Sequence, residues 1–342
     1  MQLFSRRLPA ALATAALLLA FLLFPDTVKS TAREALAAAA GGLVPSLFPY
    51  MVVASLAARR SLLAPLGTPL SFLGLPSPEV LALGLAAGFP TGASASASLY
   101  REGRIGKREA ELLAAASSGP SPAFLVGAVG GMWGDARFGW LLYAASDLTL
   151  LLFARAGGHR SEVRQIPVPS RPFSADLADS VSGAGSACLA VTASVVFFRI
   201  LAAVGGRLLP PLGPLFALFF EFSAGAAAGP STGGIRGAAM TGAAVGFSGL
   251  AVLTQTASCL SPAGLSLKPY LASRCVLSSV LAALSAGYAT LFPMTPARTA
   301  LAPLPDLTTA LCFLALSAGC ALAGEARKSR APYCFFPGNL IQ

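Results

Sequence analysis

The chain has 342 residues, 55% of them hydrophobic and only 11% charged, with a formal net charge of +10. Soluble domains carry about 25% charged residues, so this composition excludes an ordinary soluble enzyme and points to a polytopic, all-α integral membrane protein. The 24 basic residues are scattered between apolar stretches rather than gathered on one soluble surface. No nucleic-acid partner is expected, and the lipid bilayer is the first partner.

A membrane span needs about 20 predominantly apolar residues. Arg6 and Arg7 precede an apolar run over 8–24. That order is also the form of a signal peptide, but no small-x-small cleavage site follows promptly, so the run is predicted as an uncleaved first transmembrane helix. Further spans are predicted over 36–57, 138–154, 181–205, 270–292 and 306–323. Two other regions are apolar but interrupted. Residues 79–133 break at 88–92 (GFPTG) and 117–122 (SSGPSP), and residues 214–261 break at 229–234 (GPSTGG) and 246–249 (GFSG). Proline removes a backbone donor and glycine loosens the helix. Non-helical backbone at membrane depth is tolerated only where protein or a water-filled cavity satisfies it.

Basic loops mark the cytoplasmic side. With the N-terminus inside, 79–100 must enter and leave on one side as a re-entrant hairpin turning near Pro90. Residues 109–133 then cross outward and 138–154 return to a basic linker. The second half runs in the opposite sense. Residues 181–205 exit, 214–235 form a second hairpin, and 237–262 return to Lys268, with Arg274 counted beside it among the cytoplasmic charges. Both termini fall inside. Two halves of like plan and opposite orientation are the inverted-topology repeat of secondary transporters. The predicted divisions are an N-terminal helix and connector over 1–34, a first repeat over 35–154, a linker over 155–180, a second repeat over 181–292, and a C-terminal helix with a basic tail over 293–342.

Polar residues within the apolar segments are the candidate site. Glu221 sits in an otherwise apolar half-helix, where a carboxylate is costly and the default reading is functional: a proton site or a substrate contact. Its alternative is a structural carboxylate fastening the hairpin, with Arg236 as the partner. Helix N-termini at the breaks favour anions, and Thr91, Gly92, Ser118, Gly119, Ser231, Thr232 and Ser248 adjoin those breaks. Together they are expected to cradle a carboxylate-bearing substrate. Gln255 suits a ring nitrogen or a carboxylate, and a plain interhelical hydrogen bond serves it equally. Asp147 and Arg199 are candidates for an ion pair across the halves, with Asp147 equally a gating or coupling acid. Six cysteines without a CxxC and a single histidine, His159, suggest neither a metal site nor a disulfide framework. No nucleophile–base set is present, so an enzyme and a cofactor are not expected.

The strings GFPTGASASASLYREGRIGKREAELLAAASSGPSPAFLVGAVG, EFSAGAAAGPSTGG and GFSGLAVLTQ resemble the YlbJ-like sporulation integral membrane proteins, within the wider nucleoside-recognition, or gate-domain, group. The likeness runs over roughly 35–290. It implies two gate units with the repeat plan of concentrative nucleoside transporters. One class in that family moves dipicolinic acid across the outer forespore membrane. The resemblance therefore implies a small planar anionic substrate, dipicolinic acid first, at the bacterial cytoplasmic membrane or the outer forespore membrane. A nucleoside or nucleobase carrier and a non-transporting scaffold for sporulation proteins are the alternatives, and a homo-oligomer stays open.

Overall fold

Hydrophobic runs set the helices and prolines and glycines end them. A computed structural model describes residues 2–59, 77–157 and 172–294. The predicted span 306–323, His159 and most of the linker lie outside the described residues. Among the described residues the regular structure is all helical, with no strand.

Helix α1 (Gln2–Leu23) meets α2 (Pro25–Ala38) at a bend of 91°, because Pro25 cannot continue the ladder from α1. A π-helical segment, Ala39–Leu43, then leads into α3 (Val44–Arg59). The second span expected from 36 thus belongs to a helical run that already begins at 25. Helix α4 (Pro78–Ala87) and α5 (Thr91–Arg101) pack as a hairpin around Gly88-Phe89-Pro90, the turn expected there. Helix α6 (Lys107–Ala116) ends at the expected break. The chain resumes as a π segment, Ala123–Val129, with Gly130–Met132, before α7 (Ala136–Gly157).

Helix α8 (Phe173–Leu208) has 36 residues. At 1.5 Å per residue it is about 54 Å long, well beyond a hydrocarbon core of about 30 Å, and it starts eight residues before the span expected from 181. It packs against α2 and α3 on one side. Next come α9 (Gly213–Phe220), α10 (Phe222–Thr232), α11 (Gly234–Phe247), α12 (Gly249–Leu260) and α13 (Lys268–Leu291).

One expected break moves. Helix α10 runs through Pro230 and turns only at Gly233, whose φ is +71°. Pro230 has no N–H for the carbonyl of Ala226, four residues back. The Thr241 hydroxyl donates to that oxygen instead, at 3.1 Å, and itself accepts from Trp133 Nε1 at 3.1 Å. A neighbouring side chain therefore repairs the lost backbone bond. Ser231 and Thr232 consequently lie at the C-terminal end of α10, exposed, and not at a helix N-terminus as expected.

Among the described residues four helices, with α11 and α12 taken as one, are long and apolar enough to cross a membrane; the bent α1–α2 pair adds a fifth.

Candidate functional site

The apolar run of α9 stops at Glu221, whose backbone is extended, and α10 begins at the next residue. Glu221 is fully buried, so each of its oxygens must be satisfied. Oε1 accepts from the Ser223 N–H at 3.0 Å. Oε2 accepts from the Ala224 N–H at 2.9 Å and from the Ser223 hydroxyl at 2.6 Å. The carboxylate thereby caps α10, occupying two of the N–H groups every helix start leaves unpaired. Arg199, from α8, donates Nε to Glu221 Oε2 at 3.0 Å and Nη2 to Ser223 Oγ at 2.7 Å. Glu221 therefore pairs with Arg199. Arg236 is exposed on the first turn of α11, and Arg199 does not pair with Asp147.

Each hairpin tip packs on the break that follows it. A Cβ on Gly88 would lie 3.0 Å from Ser121, and one on Gly92 would collide with Ser117. In the second half, Gly249 follows the Ser248 break with φ +70°, and a Cβ there would lie 3.0 Å from the Phe222 nitrogen. Only glycine accepts both that φ and that approach.

The two tips and the first break meet at a cavity of about 360 Å³. Gly88 and Phe89 come from one tip, Pro120 and Ser121 from its break, and Phe222 and Ser223 from the other tip. Arg199 and Gln255 complete the polar lining, and the two π segments contribute Ala39 and Phe124. Phe222 sits edge-on to Phe89 with ring centroids 5.4 Å apart, and 4.7 Å from Phe124. A smaller cavity of about 240 Å³ shares Val191 and Gln255 with the first and is lined by Pro90, Phe197 and Phe198.

Of the residues expected at the site, Arg199 and Gln255 line the cavity. Glu221 stands behind Arg199 and Ser223, holding both. Thr91 begins α5, its hydroxyl oxygen buried without a partner. Ser118 turns its hydroxyl back to the Ala114 carbonyl at 2.6 Å, and Gly119 packs against Leu150. Ser248 is buried and left-handed, donating to the Val245 carbonyl at 3.3 Å. Ser121, a hydroxyl expected at the second break, lines the cavity, while Phe89, Phe124, Phe222 and Ser223 were not expected there. The signal was present for two of them, since Phe89 and Phe222 hold the second place in GFPTG and EFSAG.

Arg274, expected among the cytoplasmic charges beside Lys268, lies elsewhere. It is only 1% exposed, inside the bundle and not among loop charges. It donates Nη2 to the Ala115 carbonyl at the end of α6 and Nε to Ser273 Oγ, both at 3.3 Å, and lies 5.1 Å from the Tyr270 ring centroid. A cation at a helix C-terminus is favoured by the carbonyls exposed there. Among the described residues no group of three or more His, Cys, Asp or Glu side chains is placed to hold a metal ion.

These features define a polytopic, all-helical membrane protein whose broken helices enclose a cavity with an aromatic wall and a held arginine. The chain is homologous to the sporulation integral membrane protein YlbJ of Bacillus subtilis (strain 168), at 29% identity over 77% of this chain and 79% of that one. No protein-family model matches the sequence, and no solved structure does either.

Proposed function

We propose that this protein is a secondary transporter of a small planar anion, dipicolinate, acting in a bacterial membrane during sporulation. The observation that carries the reading is the cavity itself, where two hairpin tips and a helix break converge on the Arg199 guanidinium. Its volume of about 360 Å³ falls in the ordinary range for small-molecule sites, about 300–1,000 Å³. Arg199 spends Nε and Nη2 on Glu221 and Ser223, which fixes the plane of the guanidinium. Its Nη1 makes no hydrogen bond among the described residues and is available to a carboxylate. Phe89, Phe124 and Phe222 suit a flat ring, and Gln255 can donate to a second carboxylate or a ring nitrogen.

The like packing of each tip on its own break supports an inverted repeat, and broken helices near the midplane are how such transporters build their sites. Homology to a sporulation membrane protein supports the setting. Charge distribution supports cytoplasmic termini.

Calorimetric titration of the full chain in lipid nanodiscs tests the substrate. Saturable binding of dipicolinate, weaker binding of picolinate with its single carboxylate, and no displacement by uridine are expected. Displacement by uridine would move the reading to nucleosides.

A further inference from the structure

Asp147 lies midway along α7, a helix long and apolar enough to cross a membrane. Its Oδ1 is sealed from solvent and accepts no hydrogen bond. The Tyr143 hydroxyl, one turn earlier, stands beside the carboxylate.

The elements packed against α7 are α6, the 123–132 segment and α13. On α6 the titratable residues, Lys107, Arg108, Glu109 and Glu111, occupy its N-terminal half, and Glu111 accepts from the Ser266 N–H at 2.8 Å. The 123–132 segment has none. On α13, Arg274 gives Nε to Ser273 and Nη2 to Ala115, its buried Nη1 has no partner, and Tyr270 lies under its guanidinium. Tyr288 donates to Asp135 at 2.6 Å, while Lys268 and Cys275 are exposed. Among the described residues no lysine or arginine forms an ion pair with Asp147. A carboxylate at this depth without a cation is costly in its charged form.

What Asp147 faces gives that cost a use. A Cβ on Gly119 would lie 3.9 Å from its Oδ1, and the next two residues, Pro120 and Ser121, line the cavity. The carboxyl therefore stands directly behind the break whose front meets the substrate space.

We propose that Asp147 is a protonation site that couples proton movement to passage of the anion. It holds a proton, taken from water on one side, while the 117–121 break is packed against it and seals it from solvent. It returns that proton to water on the other side when the break shifts and solvent reaches the carboxyl. The inference rests on the transport reading above and adds the ion that drives it.

Infrared difference spectra of the full chain in nanodiscs, wild type minus Asp147→Asn, are expected to show a protonated-carboxyl stretch at neutral pH. Absence of that band overturns the proposal. In proteoliposomes, wild-type dipicolinate uptake is expected to follow an imposed pH gradient and Asp147→Asn uptake to ignore it. Asp147→Glu, which restores a carboxyl, is expected to recover gradient dependence, separating proton loss from misfolding. An Asp147→Asn protein that still follows the gradient overturns the coupling. A wild type that moves no dipicolinate under any gradient overturns the transport reading instead, and the infrared band still decides whether Asp147 holds a proton.

Discussion

Arg199, Glu221 and Ser223 form one unit, with the Glu221 carboxylate at its buried end and the guanidinium at the cavity. Removing either charge leaves the other without its partner, and breaking a buried pair costs about 3–5 kcal/mol. Arg199→Ala and Glu221→Ala are each expected to lower the thermal midpoint strongly in detergent. The double variant is expected to lose less than the sum, which a double-mutant cycle reads directly. Arg199→Lys keeps the charge but cannot reach both oxygens with one planar fork, so dipicolinate binding should fall about 10- to 100-fold, the worth of one or two charged hydrogen bonds. A second residue pair sets a pH dependence. The Tyr288 hydroxyl holds the Asp135 carboxyl below its ordinary value, against the opposing effect of burial. A carboxyl depressed in the folded state adds stability above its unfolded pKa and loses it as pH falls through the folded value. Tyr288→Phe is therefore expected to lower the melting midpoint at neutral pH and to converge with wild type in acid.

At the scale of the element, the breaks carry the design. Gly249→Ala meets both a positive φ and the Phe222 backbone, whereas Gly264, with φ +69°, has nothing within 4 Å of an added Cβ. Gly264→Ala should cost only the left-handed strain, about 1–2 kcal/mol, and leave binding alone. Gly249→Ala should cost more and weaken dipicolinate binding as well, because it pushes Phe222 toward the cavity; melting curves and titrations of the two variants check this. Sequence alone made most of these breaks legible. The GFPTG, SSGPSP and GFSG strings each fall where the helix stops, since Gly and Pro act through the local backbone. The string at 229–234 misled because Thr241, eleven residues beyond Pro230, supplies the donor that proline lacks, and local rules do not see a tertiary repair. The partner of Arg199 was hidden for the same reason. Glu221 lies 22 residues away at the break before a different helix, and only packing sets that register. Arg274 looked like a loop charge because it sits one and a half turns from the helix start, yet packing against Ala115 draws it inward.

At the scale of the molecule, two contacts tie the ends of the bundle together. Glu111 meets the Ser266 N–H at one end and Asp135 meets Tyr288 at the other. That arrangement agrees with a topology in which the basic 101–108 turn and Lys268 share one side while 133–135 lies opposite. The proposed orientation, argued from basic-loop bias, puts the first side in the cytoplasm. Single cysteines at Arg104 and Lys268 in an otherwise cysteine-free chain should then react with impermeant thiol reagents only from inside, and one at Gly134 only from outside. Overall helical character and membrane class were readable from composition. The cavity was not, because it is assembled from residues spread over 38–255 whose meeting depends on how the two halves face each other.

The proposed function requires the arginine at the meeting of the two tips to pass a planar dicarboxylate across the membrane. Dipicolinate uptake into proteoliposomes loaded with terbium, whose fluorescence reports arrival of the anion, tests it most directly when wild type and Arg199→Ala are run side by side. Saturable uptake by the wild type that is lost in the variant is the predicted result. Equal uptake by the two proteins, or none by the wild type, would contradict the account.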